Sequence, residues 1–166
     1  MKTSQSTTLR QTSKLARLLA VDAALLTAAC LVPALSHLTA LPLYHLNPML
    51  LFLLGGMLLV QDRRNALLLA VLLPLVSMLA VGMPTPLKAL CMMAELSAVV
   101  LISGRFSVQG FGSMLLAIIG GKVVYYLLKA LLLAPAVLVS TPVLTQLVVA
   151  VAAAMLFALL SRKAVR

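Results

Sequence analysis

A chain of 166 residues that is 63% hydrophobic and 10% charged is not a soluble domain, because average globular chains carry roughly 25% charged residues. Its 13 Lys and Arg against 3 Asp and Glu give a formal net charge of +10. All the basic residues except Lys88, Lys122 and Lys129 lie in the two tails or in connectors between apolar runs, the ordinary bias of membrane spans, so no nucleic acid is expected as a partner.

Residues 1–14 are polar, with Ser, Thr, Gln and a few bases, and read as a flexible cytoplasmic tail. The first apolar run covers 15–37. Lys14 and Arg17 flank its start as in a signal peptide. Asp22 interrupts the run, however, and no small-x-small cleavage site leads into a soluble body, so it is expected to be retained. A second run covers 46–60 and ends at Gln61-Asp62-Arg63-Arg64-Asn65. A third covers 66–82 and ends at Gly82-Met83-Pro84-Thr85-Pro86. The fourth covers 87–103 up to Gly104-Arg105, the fifth 110–133 up to Pro135, and the sixth 142–161 up to Ser161-Arg162-Lys163. A spanning helix needs about 20 mostly apolar residues, and several of these runs are short for that, which leaves room for kinks. The pattern predicts an all-α polytopic membrane protein, a six-transmembrane-helix bundle over 15–162 in the lipid bilayer, with 163–166 as a second cytoplasmic tail.

Charge sets the expected orientation. Lys2, Arg10, Lys14 and Arg17 flank the start, Arg63 and Arg64 follow the second run, Arg105 follows the fourth, and Arg162, Lys163 and Arg166 end the chain. The alternate connectors, 38–45, 83–86 and 134–141, hold no Lys or Arg. Both termini are therefore expected to be cytoplasmic. Residues 36–48, around the first outer connector, hold His37, Tyr44, His45 and Asn47 in a semi-apolar stretch, either a lid over the bundle mouth or a segment resting at the interface. Cys30 and Cys91 sit in separate runs without CxxC spacing and read as small buried apolar groups.

Two constellations lie inside the runs. Ala16, Ala20, Ala24 and Ala28 repeat at four-residue spacing, which lets another helix approach closely where lipid offers no hydrophobic drive. They are either a docking face for a partner protein or packing within the bundle. Lys88 and Glu95 are seven residues apart on one helix face, with Cys91 and Met92 between them. Lys122 and Lys129 repeat that spacing with Tyr125 and Tyr126 between them. At about 1.5 Å per residue, Glu95 and Lys122 each lie roughly 12–17 Å below the outer surface. A charge at the bilayer centre costs about 2.5–3.5 kcal/mol on the mildest scale. The pair therefore suggests either a pocket with a positive rim, suited to an anionic or zwitterionic solute, or a structural bridge. Asp22, two turns into the first run, is expected to pair with Lys14, Arg17 or another helix end.

The chain lacks HExxH, a nucleophile elbow, a Walker loop and clustered metal ligands. No enzymatic activity, cofactor or metal is expected, and no internal repeat of a self-powered transporter is visible.

Six short helices with both termini inside, an alanine-spaced first helix and a lid-like first outer loop resemble the S-components of energy-coupling factor (ECF) transporters. So does the order Asn47-Pro48, Gly55-Gly56, Gly82-Met83-Pro84-Thr85-Pro86 and Met92-Met93-Ala94-Glu95-Leu96. The resemblance spans about residues 14–162. It implies a substrate-binding subunit in a bacterial cytoplasmic membrane that captures a small-molecule micronutrient, such as a vitamin, from outside. Its implied partners are a transmembrane coupling protein and two cytoplasmic ATPases. Ala16, Ala20, Ala24 and Ala28 would meet the coupling protein, and His37, Tyr44, His45 and Asn47 would cover the pocket. Lys88, Met92, Glu95, Lys122, Tyr125 and Lys129 would line it. The alternatives are a noncatalytic MreD-like membrane scaffold and a small pore-forming protein.

Overall fold

Punctuating residues set the ends of the helices. Asn47 has φ 48 and hands the chain to Pro48, whose fixed φ suits a first helical position. Gln61, at φ 54, ends that helix with its N–H on the Met57 carbonyl. Asp62 caps the next helix by accepting from the Arg64 N–H at 2.8 Å. That helix stops at Gly82, whose φ of 73 needs no Cβ. Pro86 opens the following one.

The computed structural model describes residues 2–39, 47–105, 110–133 and 143–164. Among them run six helices: α1 (Lys2–Thr39), α2 (Pro48–Val60), α3 (Arg63–Val81), α4 (Pro86–Ser103), α5 (Phe111–Leu133) and α6 (Val143–Ala164). The described residues contain no strand. Stretches in four helices are long and apolar enough to cross a membrane: Lys14–Pro33, Arg63–Val81, Pro86–Ser103 and Phe111–Leu132. Pro48–Val60 and Gln146–Ser161 are shorter apolar helices. The protein is an all-α helical bundle of membrane character.

Two boundaries differ from the sequence expectation. The polar segment expected to be a tail continues α1 back to Lys2. Extending an existing helix adds one hydrogen bond per residue without a new nucleation cost. Helix α3 begins at Arg63, three residues before the apolar run, because Asp62 supplies the cap.

Helix α4 packs against α3 and α5, α1 against α2 and α3, and α6 against α5 and α2. The centre is apolar, with Leu50, Leu53, Leu69, Leu73, Leu96, Val99 and Ile118 fully buried. In lipid such contacts hold through close van der Waals packing. Gly56 lets α2 sit on Leu69 and Leu25, since a Cβ there would lie 2.7 Å and 3.2 Å from their methyls. Gly121 brings α5 against α4 more closely still. A Cβ at that position would stand 2.9 Å from the Glu95 carbonyl oxygen and 2.6 Å from Val99.

One end of the bundle gathers basic residues. Asp22 accepts from Asn65 Nδ2 at 2.9 Å, both residues 8% exposed, so Asp22 of α1 pairs with the first turn of α3, another helix end. Arg63 reaches across to the Leu101 carbonyl in the last turn of α4 at 3.4 Å and lies over Gly104. Cations suit a helix C-terminus. Arg63, Arg64 and Arg105 therefore share an end of the bundle, and Lys14 and Arg17 extend towards it from Asp22.

Candidate functional site

Glu95 lies midway along α4 and Lys122 midway along α5. These helices run antiparallel, and the Gly121 contact pulls them together beside both side chains. Lys122 Nζ stands 2.8 Å from Glu95 Oε1. Asn47, at the entrance to α2, donates from Nδ2 to the same oxygen at 3.2 Å. From α6, Gln146 Oε1 accepts from Lys122 Nζ at 3.1 Å and from the Tyr126 hydroxyl at 3.0 Å. The ammonium also lies 5.4 Å from the Tyr125 ring centroid, within cation–π range. Tyr125 and Tyr126 meet edge to face, with centroids 5.4 Å apart.

Four helices thus contribute to a cluster whose ion pair has no net charge. Glu95 is 2% exposed, and 15% of the Lys122 side chain is accessible. The hydrogen bonds from Asn47 and to Gln146 offset part of the desolvation cost of two charges in an apolar bundle.

Among the described residues, a crevice and a groove border the cluster. A crevice among Asn47, Leu50, Lys122, Gln146, Val149 and Ala150 has no room for a water molecule. A groove of about 390 Å³ opens between α5 and α6, lined by Ile119, Lys122, Val123, Tyr126, Leu127, Ala130, Gln146, Leu147 and Ala150. Lys122 is the one charged residue among the described residues of that lining. Val123, Leu127 and Leu147 are more than half exposed on its open side.

Of the residues singled out from sequence, Glu95, Lys122, Tyr125 and Asn47 come together. Asn47 is a direct partner of Glu95. Met92 is half-buried against the apolar core. Lys129 is 8% exposed and Lys88 is exposed. They lie within electrostatic reach of each other, two turns from the ion pair along α5 and α4. Tyr44 and His45 fall outside the described residues, as does the His37 side chain. Ala16, Ala20 and Ala24 are exposed and Ala28 is half-buried, whereas Asp22 and Ala29 turn into the bundle. The alanine row therefore faces outward.

Gln146 and Gly121 are not singled out by the sequence, and Tyr126 is placed there between the two lysines without being assigned to the lining. A lone amide in the sixth apolar run was the available signal for Gln146, and the Gly-Gly pair before Lys122 was the signal for Gly121. Comparison with protein families, curated proteins and solved structures finds no match to this chain.

Proposed function

We propose that this chain is the membrane-embedded substrate-binding subunit of an ECF-type micronutrient importer. It takes up a small molecule at the Glu95–Lys122 cluster and relies on a coupling protein and two ATPases for energy. One observation carries this reading: α2, α4, α5 and α6 converge polar groups on a buried ion pair bordering an open groove. A few convergent polar groups in a largely apolar concavity are the usual form of a small-molecule site. The outward alanine row on α1 is compatible with the partner contact such a subunit requires. Both termini would be cytoplasmic, with Arg63, Arg64 and Arg105 at that face.

The close packing around Glu95 favours a second reading. With no room for water beside Asn47 and Lys122, the pair would be a structural bridge in a noncatalytic membrane scaffold.

Native mass spectrometry of gently extracted protein separates the two. A stoichiometric small-molecule adduct, weakened at least tenfold (about 1.4 kcal/mol) by Lys122→Met, supports the binding subunit. A clean apo monomer that co-extracts with membrane proteins other than ATPases supports the scaffold.

A further inference from the structure

The α5–α6 groove differs from a pocket for a water-soluble anion in three respects. Its walls are almost wholly apolar. Its open side runs between Val123, Leu127 and Leu147, residues on the outer surface of two apolar helices. Its polar groups lie near the middle of α5, about 16 Å from either helix end at 1.5 Å per residue. A molecule entering there comes from within the bilayer and must keep its polar atom at mid-membrane.

The chemistry of that polar atom follows from the cluster. Gln146 Oε1 accepts from both Lys122 and Tyr126, which fixes the amide orientation and leaves Nε2 as a donor. Among the described residues, Nε2 has no hydrogen-bond partner. Lys122 uses two of its three N–H donors on Glu95 and Gln146. The groups that Lys122 and Gln146 leave free are donors, so a ligand that bonds to both supplies an acceptor. Glu95 already neutralises Lys122, so an anionic head would leave an uncompensated charge in hydrocarbon, whereas an uncharged oxygen would not.

We infer that the groove binds an uncharged, membrane-dissolved molecule with a long apolar body and a carbonyl oxygen. The oxygen accepts from Lys122 and Gln146, and the body lies along Val123, Leu127 and Ala130, about 12 Å of α5. This rests on the solute-binding reading and narrows its ligand, replacing the anionic or zwitterionic solute expected from the lysines alone. The groove's 390 Å³ falls in the size range of small-molecule sites.

The test uses the full chain in lipid nanodiscs and a diazirine-bearing long-chain methyl ketone, with labelled residues mapped by peptide mass spectrometry. Competitors are the unlabelled ketone, the fatty acid and the alkane of equal chain length. The expected result is saturable labelling of α5 and α6, displaced at least tenfold better by the ketone than by either other competitor. Ala130→Phe, which fills the groove without touching the ion pair, should cut labelling at least fivefold. Label spread over lipid-facing residues such as Leu79 and Leu101, or competed equally by the alkane, would mean ordinary lipid contact and overturn the inference. Stronger competition by the fatty acid would also overturn it while leaving a solute site intact. So would a water-soluble adduct, seen by native mass spectrometry, that binds through Lys122 without displacing the label.

Discussion

Glu95 and Lys122 depend on each other. Removing one member of a buried pair leaves the other charge uncompensated and typically costs about 3–5 kcal/mol. Lys122→Met would leave Glu95 facing only the Asn47 amide. Glu95→Gln would leave Lys122 with the Gln146 oxygen and the Tyr125 ring. Each single variant should lose about 3 kcal/mol in reversible unfolding from mixed micelles. The Glu95→Gln/Lys122→Met double variant should lose clearly less than the two losses summed, because no charge remains stranded. Strictly additive losses would show that the two groups act separately. The pair was legible because ionisable residues are rare inside apolar runs and a seven-residue spacing fixes their face. Gln146 was not, since nothing in one sequence says which face of α6 turns towards α5. The same ambiguity left the alanine row undecided between the bundle and a partner, and the outward position of Ala16, Ala20 and Ala24 became visible only with α1 in place.

Among the elements, the α4–α5 contact sets the geometry of the cluster, and the adjacent glycines 120 and 121 serve it differently. A methyl on Gly120 would meet Ile102 Cδ1 at 2.5 Å, the far end of a side chain that can turn away. A methyl on Gly121 would meet the Glu95 backbone oxygen at 2.9 Å, which moves only with helix α4 itself. Replacing Gly by Ala inside a helix gains about 1 kcal/mol, while overpacking costs about 1–3 kcal/mol. Gly120→Ala should therefore be neutral or stabilising. Gly121→Ala should lose about 1–2 kcal/mol and loosen the Glu95–Lys122 contact. Thermal unfolding in detergent checks the order, and equal effects would mean that α4 and α5 are not held by backbone contact at Gly121. The ends of the elements were readable because Pro48, Asp62, Gly82 and Pro86 mark them chemically. The pairing of helices was not, since every apolar face is compatible with lipid as well as with another helix.

At the scale of the whole molecule, charge predicts the direction across the bilayer. The bundle places Arg63, Arg64 and Arg105 at one end, with Lys14 and Arg17 extending towards it, whereas the Gly82–Thr85 turn at the other end of α3 has no base. Helix α3 is 19 residues long, about 28 Å at 1.5 Å per residue, close to the roughly 30 Å hydrocarbon thickness. The connectors at its two ends should therefore lie on opposite faces. Gln61 and Thr85 are both exposed and flank this helix, so one cysteine at either position reads the orientation. In a background with Cys30→Ala and Cys91→Ala, a membrane-impermeant maleimide should label Thr85→Cys in intact cells. Gln61→Cys should react only after permeabilisation, because basic connectors are retained on the cytoplasmic side. The reverse pattern would put the basic end outside and turn the proposed importer subunit upside down, with its coupling machinery on the wrong face. Labelling of both positions in intact cells would mean that α3 does not span, and the six-span threading would fail with it.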